Sequence, residues 1–104
     1  MKTSILYSVK IGGYAVEVKN VENLLNSIFV LSKFKDYEIH LFHSDELKTD
    51  VLSFLKKVKN EQVKVFGYKK ISWYEWLNFS KKHSKNFEYV FLMHDDVFFF
   101  NKSF

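Results

Sequence analysis

The sequence predicts an α/β protein with a three-layer α/β/α architecture, in which a mainly parallel sheet of about four strands lies between helices. Short runs rich in β-branched and aromatic residues alternate with longer amphipathic segments, and this alternation continues along the chain. Because right-handed crossovers place helices on both faces of a parallel sheet, three layers follow. The 104 residues contain no Gly-rich or Pro-rich linker, which indicates a single domain over residues 1–104.

The first predicted strand covers residues 4–9, a β-rich run that Gly12 and Gly13 close with a turn. Apolar residues then recur at steps of three and four, which predicts an amphipathic helix. Its buried stripe would consist of Val21, Leu24, Leu25, Ile28 and Leu31. Asn20 is a suitable N-cap, because its side chain can accept a hydrogen bond from the first helical turn.

The second strand is predicted over residues 37–43, where polar and apolar residues alternate. Ser44, Asp45 and Glu46 follow, and we expect them to cap the next helix and to place negative charge at its N-terminus. The buried stripe of that helix would consist of Leu47, Val51, Phe54, Leu55 and Val58.

The third strand and helix are marked by local signals. The strand is short, over residues 63–66, and Gly67 ends it. Ser72 and Glu75 have the S-x-x-E spacing of a capping box, in which each side chain accepts a backbone hydrogen bond from the other residue. The third helix is therefore predicted to begin directly after Ser72.

Aromatic residues are concentrated at the start of this third helix. Four residues share one helix face: Trp73, Trp76, Leu77 and Ser80. At least one tryptophan is therefore expected to anchor the helix to the sheet. The alternative is that Trp73, Tyr74 and Trp76 stack against a nucleobase or a sugar ring.

The fourth strand, over residues 87–93, ends in the sequence His94-Asp95-Asp96, and the apolar residues 97–100 follow directly. Two carboxylates beside so much apolar surface are costly unless they are solvated, paired or bound to a metal. Carboxylate oxygens suit Mg²⁺ and Mn²⁺, which leave room for the phosphates of a substrate. The alternative is a turn that ends the strand and directs both carboxylates into water.

Composition excludes several classes of function. The chain has no cysteine, which excludes disulfides, thiol catalysis and cysteine-ligated metals. Its net charge is +4, but all 16 basic residues are lysine, and nucleic-acid recognition favours the planar fork of arginine. We therefore expect no nucleic-acid partner. No segment has the composition of a signal peptide or a membrane span, so a cytoplasmic location is expected.

With these elements in order, the chain resembles the nucleotide-binding half of a GT-A glycosyltransferase, a Rossmann-like fold, and within that group it is most similar to family 2. Residues 24–28 are similar to the first helix of the family, and residues 37–41 are similar to its second strand. Residues 89–97 resemble the apolar strand and the acidic D-x-D or D-D motif that follows it. The resemblance covers nearly the whole chain.

The resemblance implies transfer of a sugar from a nucleotide-diphosphate sugar to a glycan or lipid-linked acceptor, as in cell-surface polysaccharide synthesis. By the match, Asp96 would ligate a Mn²⁺ or Mg²⁺ ion that bridges the diphosphate. Asp95 would contact the ribose or the donor sugar, or share the metal. His94 stands where many members carry the first acid of the motif, and it would contact the metal or a phosphate, or else face solvent.

The sequence departs from the family pattern in three places. The first strand of the family usually ends in Pro-x-Tyr-Asn, whereas this chain has no proline. The family often reads the nucleotide base with an Asp after its second strand; here Asp45 is the nearest candidate, and a helix cap is the alternative. The family's catalytic base and acceptor site lie beyond the acidic motif, and only eight residues follow Asp96. We therefore expect the N-terminal part of a longer transferase, able to bind its donor but not to catalyse transfer, with its catalytic residues unknown. The phenylalanines after the motif would otherwise form an exposed apolar edge: Phe98, Phe99, Phe100 and Phe104.

Two further hypotheses remain open. A non-catalytic small α/β module that binds a nucleotide or a protein partner would have the same alternation of strands and helices. The many lysines would also let a longer enzyme associate peripherally with an anionic membrane, close to lipid-linked acceptors.

Overall fold

The computed structural model describes residues 4–12, 16–33 and 36–94. Strands and helices alternate in the predicted order: β1 Ser4–Lys10, α1 Val18–Leu31, β2 Asp36–Ser44, α2 Thr49–Val58, β3 Val63–Tyr68, α3 Trp73–His83 and β4 Tyr89–His94. A short 3₁₀ turn, Ser84–Asn86, joins α3 to β4. The predicted α/β fold is confirmed.

The four strands form one sheet in the order β3-β2-β1-β4, and every neighbouring pair is parallel. From β1, the chain adds β2 and β3 on one side and then crosses to place β4 on the other side. The strand order therefore reverses at β1. This order, 3-2-1-4, is that of the first four strands of the doubly wound nucleotide-binding folds.

The helices cover both faces of the sheet, because successive side chains of a strand point to opposite faces. Tyr7 and Val9 of β1 belong to the core that α1 and α2 complete. Ser8, between them, hydrogen-bonds to α3 on the opposite face. The molecule therefore has the three predicted layers.

Aliphatic side chains dominate the core under α1 and α2. The sheet and the two helices contribute buried residues that include Ile5, Val9, Ile39, Leu41, Val21, Leu24, Ile28, Val51 and Leu55. The hydroxyls of Tyr7 and Ser32 hydrogen-bond to each other inside this layer. Burial raises the pKa of Tyr7 above its ordinary value, although the bond to Ser32 opposes this shift, so the hydroxyl stays protonated near neutral pH.

A buried hydrogen-bonded group attaches α3 to β1. The indole Nε1 of Trp76 donates to Ser8 Oγ at 3.0 Å, and the hydroxyls of Ser8 and Ser80 lie 2.6 Å apart. Ser80 Oγ also donates to the carbonyl oxygen of Trp76 at 2.8 Å. Trp76 is 1% exposed, which confirms that one tryptophan anchors the helix to the sheet.

The predicted starts of α1 and α2 were wrong. Helix α1 begins one turn earlier, with Glu17 as its N-cap, because Asn20 Oδ1 accepts a hydrogen bond from the Glu17 backbone at 2.9 Å. Ser44 does not cap α2, since it is the last residue of β2 and its Oγ accepts from Glu46 N within a turn at 3.4 Å. Helix α2 begins after Lys48 instead.

The end of β3, the start of β4 and the exposure of Leu31 also differ from the prediction. Strand β3 continues through Gly67 to Tyr68, because Tyr68 pairs with Ser44 of β2. Strand β4 begins two residues later than predicted, since Phe87 N closes the 3₁₀ turn by donating to Ser84 O at 3.0 Å. Leu31 was expected on the buried stripe of α1, but as the last residue of that helix it is 43% exposed.

Candidate functional site

The carboxyl ends of the four strands bring polar and cationic side chains to one edge of the sheet. Strand β1 ends at Lys10, which pairs with His94, the last residue of β4. On the other side, β2 and β3 end at the paired residues Ser44 and Tyr68. In open parallel sheets, ligands bind at this edge, next to the position where the strand order reverses. Here that position lies between Lys10 and His94.

An open cleft of about 330 Å³ lies at this edge. The end of β1, the turn after β2 and the loop that leads into α3 form its walls, and its lining residues are Lys10, Ile11, Ser44, Glu46, Lys70, Ile71, Ser72 and Glu75. The lining combines two lysines, two glutamates and two serines with two isoleucines. Such a mixture suits a ligand that carries both phosphate and hydroxyl groups.

The first turn of α3 is held in place at the rim of this cleft. Ser72 Oγ accepts from Glu75 N at 3.1 Å, and Glu75 Oε1 accepts from Ser72 N at 3.2 Å. These reciprocal bonds confirm the predicted capping box. Burial and the nearby carboxylate of Glu75 raise the pKa of Tyr68, which therefore stays protonated at neutral pH.

Trp73 lies over the reversal point of the sheet. Its ring centroid is 4.0 Å from that of His94, and the Nζ of Lys10 lies 6.0 Å from the indole ring. Trp73 is 54% exposed, whereas Trp76, on the same helix face, is buried. Trp73 therefore presents an aromatic surface to solvent, next to a cation and an imidazole.

One ring nitrogen of His94 is buried at this position. Its Nε2 is shielded from solvent and has no hydrogen-bond partner in the described part of the chain. The rings of Trp73 and Trp76 pack against the imidazole, with the Trp76 centroid at 5.7 Å. A buried polar atom without a partner is costly, and a phosphate oxygen or a metal ion can satisfy an imidazole nitrogen.

The sequence-predicted site residues fall in different places. His94 lies at the reversal point, and Asp45 is exposed in the turn after β2, where its neighbours Ser44 and Glu46 line the cleft. Asp95 and Asp96 lie outside the described residues. Within residues 4–12, 16–33 and 36–94, no group of three or more His, Asp or Glu side chains could hold a metal. The metal site stays a prediction.

Sequence reasoning did not single out Lys10, Lys70 or Ser72 as site residues. Lys10 and Lys70 resembled the other lysines, and Ser72 was identified only as a helix cap. Their positions relative to the predicted elements could have identified the two lysines as site residues. Lys10 ends a β-rich run, and Lys70 lies between a strand and a capping box. Only the strand order brings these separate positions to one cleft.

A second titratable group lies between the middle of the sheet and α3. His40 is 4% exposed, and neither of its ring nitrogens makes a hydrogen bond within the described residues. Its ring packs at 5.3 Å from that of His83, and its Nε2 lies 3.5 Å from Glu38 Oε1. Burial lowers the pKa of His40 more than Glu38 raises it. The histidine is therefore a neutral packing residue near pH 7.

At Glu38, the effect of burial on the pKa is outweighed by neighbouring groups, whereas burial dominates the pKa of His40. Its Oε1 lies 3.0 Å from Lys64 Nζ. Burial would raise the pKa of Glu38, but Lys64 and His40 together hold it below its ordinary value.

Comparison of the chain with models of protein families, with curated proteins and with solved structures finds no match in any of the three. Of the helices described, none combines the length and the apolar character needed to cross a bilayer.

Proposed function

We propose that the chain is the donor-binding part of a glycosyltransferase that uses a nucleotide-diphosphate sugar, and that the donor binds at the carboxyl edge of the sheet. One observation carries the proposal: β4, which ends at His94, lies beside β1 at the position where the strand order reverses. The sequence continues from His94 into the acidic pair Asp95-Asp96. The resemblance of residues 89–97 to the acidic motif of family-2 transferases supplies the reaction class.

The described residues suit a donor of this kind. Lys10 and Lys70 provide positive charge for a diphosphate, and the exposed ring of Trp73 offers a surface on which a nucleobase or a sugar can stack. Ser44 and Glu46 are available to hydroxyl groups. The chemistry of this edge therefore combines the three recognition elements that a nucleotide sugar requires.

Asp95 and Asp96 would hold the Mn²⁺ or Mg²⁺ ion that the resemblance implies. His94 directly precedes them in the sequence, and its Nε2, which has no hydrogen-bond partner among the described residues, suits either a metal or a phosphate oxygen. Such an ion supplies Lewis-acid stabilisation of the departing diphosphate. We assign no catalytic base, and we place the activity in the cytoplasm with a glycan or lipid-linked acceptor.

The experiment is a calorimetric titration of the folded chain with UDP, GDP and their sugars, with and without Mn²⁺. We expect binding that depends on Mn²⁺ and becomes at least about tenfold weaker in the Asp96→Asn variant. The matched control is Asp36→Asn, which removes an exposed carboxylate at the opposite edge of the sheet and should leave binding unchanged. Circular dichroism confirms beforehand that each variant is folded.

A non-catalytic α/β module that binds a nucleotide or a protein partner is the second candidate. The observation that favours it is the edge strand β4, where Tyr89 is 56% exposed and Leu92, on the opposite face of the sheet, is 48% exposed, as expected of an edge that receives a partner. The same titration separates the two candidates. Nucleotide binding without Mn²⁺, equal in Asp96→Asn, favours the module, and no nucleotide binding at all by a folded chain contradicts the transferase proposal.

A further inference from the structure

The last turn of α1 exposes three consecutive large apolar side chains. Phe29 is 60% exposed, Val30 is 71% exposed and Leu31 is 43% exposed. Single exposed apolar residues are common on protein surfaces, but a contiguous group of them marks a surface that contacts something other than water. We call Phe29, Val30 and Leu31 the apolar patch.

The apolar patch continues into a groove of about 410 Å³ at the amino edge of the sheet. Phe29 belongs to both, and the groove runs between the ends of α1 and α2 and the starts of β2 and β3. Its apolar lining consists of Leu25, Phe29, Tyr37, Ile39, Val58 and Val63. This surface lies at the end of the sheet opposite the candidate donor cleft.

The charged residues that line the groove are both lysines. Lys57 and Lys59 line it, and among the described residues of its lining no carboxylate is present. The remaining polar groups of the lining are the amides of Asn26, Asn60 and Gln62, which are neutral. An occupant with complementary chemistry is therefore apolar where it meets Phe29 and anionic where it meets the two lysines.

We propose that the apolar patch and the groove dock the protein on an anionic lipid bilayer. Phe29 and Val30 enter the interface between headgroups and acyl chains, while Lys57 and Lys59 contact anionic headgroups. The combination of apolar side chains with adjacent lysines is the one that interfacial membrane binding uses, since apolar groups insert while cations attract anionic headgroups.

This surface goes beyond the proposed donor site and does not depend on it. Docking through the amino edge of the sheet leaves the carboxyl edge, with Lys10 and Trp73, directed away from the bilayer. A protein held in this way can bind a water-soluble ligand at its carboxyl edge while it stays at the membrane.

Co-sedimentation with phosphatidylcholine vesicles, with and without phosphatidylserine, tests the proposal. We expect binding only to the vesicles that contain phosphatidylserine, and weaker binding as salt is added. The Lys57→Ala/Lys59→Ala variant should bind about 25-fold more weakly, since each surface lysine contributes about a factor of five. The Phe29→Ser/Val30→Ser variant should lose at least about tenfold, because apolar insertion is removed.

The control variant Lys81→Ala/Lys82→Ala removes two exposed lysines from α3, on the other face of the sheet. Its binding should stay within about twofold of the parent chain, because these lysines lie outside the proposed surface. An equal loss in both lysine variants means that net charge alone drives binding, and it overturns the proposal. So does the failure of the folded parent chain to bind at low salt, which would favour a protein partner for the patch. Unchanged binding by Phe29→Ser/Val30→Ser overturns it as well.

Discussion

The face of the sheet under α1 and α2 is filled mainly by aliphatic side chains, whereas the face under α3 combines aromatic rings with buried hydroxyl and imidazole groups. On the first face, apolar side chains such as Leu41 and Ile28 need only to be shielded from water, because they make no hydrogen bonds. On the second face, Ser8, Trp76 and Ser80 must also keep their hydrogen bonds. The two faces therefore differ in how strictly they fix the helix that covers them.

This difference bears on function, because α3 is the helix that borders the candidate donor cleft. Aliphatic packing is not directional, so it tolerates small rotations of a helix. A buried hydrogen-bonded group has defined geometry and favours one orientation. The bonds from Trp76 and Ser80 to Ser8 therefore set the position of Ser72 and Trp73 relative to Lys10 and His94.

The largest effect is expected on the aliphatic face. Leu41→Ala removes a fully buried side chain and leaves a cavity, which should lower the free energy of unfolding by about 2–5 kcal/mol. Urea denaturation measures this change. Val30→Ala, at a position 71% exposed, is the control and should stay within about 0.5 kcal/mol of the parent. Equal effects at the two positions would contradict the assigned core.

A smaller but more specific effect is expected on the α3 face. Ser8→Ala leaves the buried indole Nε1 of Trp76 without its acceptor, at a cost of about 1–3 kcal/mol. Ser80→Ala should cost less, because Ser8 still accepts from Trp76. Near-UV circular dichroism should report the change around Trp76 in Ser8→Ala. Ser53→Ala, at an exposed position of α2, is the control. If it lowered the free energy of unfolding as much as Ser8→Ala does, the assigned role of the buried hydrogen bonds would be contradicted.

The smallest effect is a pH dependence of stability that arises on the α3 face. Burial holds the pKa of His40 below 6.5 in the folded chain, so the unfolded chain binds this proton more readily. Stability should therefore fall as the pH is lowered through 6.5, by at most about 1.4 kcal/mol per pH unit. Glu38 stays ionised in this range, because its pKa lies below 4.5.

Thermal unfolding between pH 7.5 and about 5.5 measures this dependence. The His40→Phe variant keeps an aromatic ring at the position and removes the titrating group, so its melting temperature should vary less with pH than that of the parent. Parallel pH profiles for the two chains would mean that His40 is not buried in its neutral form.

Much of the fold could be predicted because its signals are local. The S-x-x-E spacing at Ser72 located the start of α3, and apolar periodicity located the buried positions Val21, Leu24 and Ile28. The N-cap of α1 was missed because Asn20 accepts a bond from the residue three positions earlier instead of beginning the helix. Gly67 suggested a strand end, but pairing with β2 carries the strand through it.

Close packing gives Gly67 a different role from the predicted one. A Cβ at this position would lie 3.0 Å from Cε1 of His43, the residue with which it pairs. The glycine therefore makes room for the His43 ring inside a continuous strand. The local sequence around Gly67 does not predict such a contact, because the contact involves a residue of another strand.

The candidate site could be predicted only in part, for a similar reason. His94 followed from its position at the end of an apolar strand. Lys10 is far in sequence from Lys70, Trp73 and His94, and only the crossing of the chain to the other side of β1 brings Lys10 next to His94. Strand order is set by the packing of the whole chain, so residue patterns within single segments do not reveal it.

Two-dimensional NMR of the ¹⁵N-labelled chain during titration with UDP, GDP and their sugars in the presence of Mg²⁺ tests the central claim most directly. The account predicts Mg²⁺-dependent shifts at the carboxyl edge, in the amides of Lys10, Ser44 and Lys70, and in the indole NH of Trp73. The amides of Leu25 and Val58, in the groove at the opposite edge, should not shift. Shifts confined to that groove, or no shifts with any of these ligands in a folded chain, would contradict the assignment of the donor site.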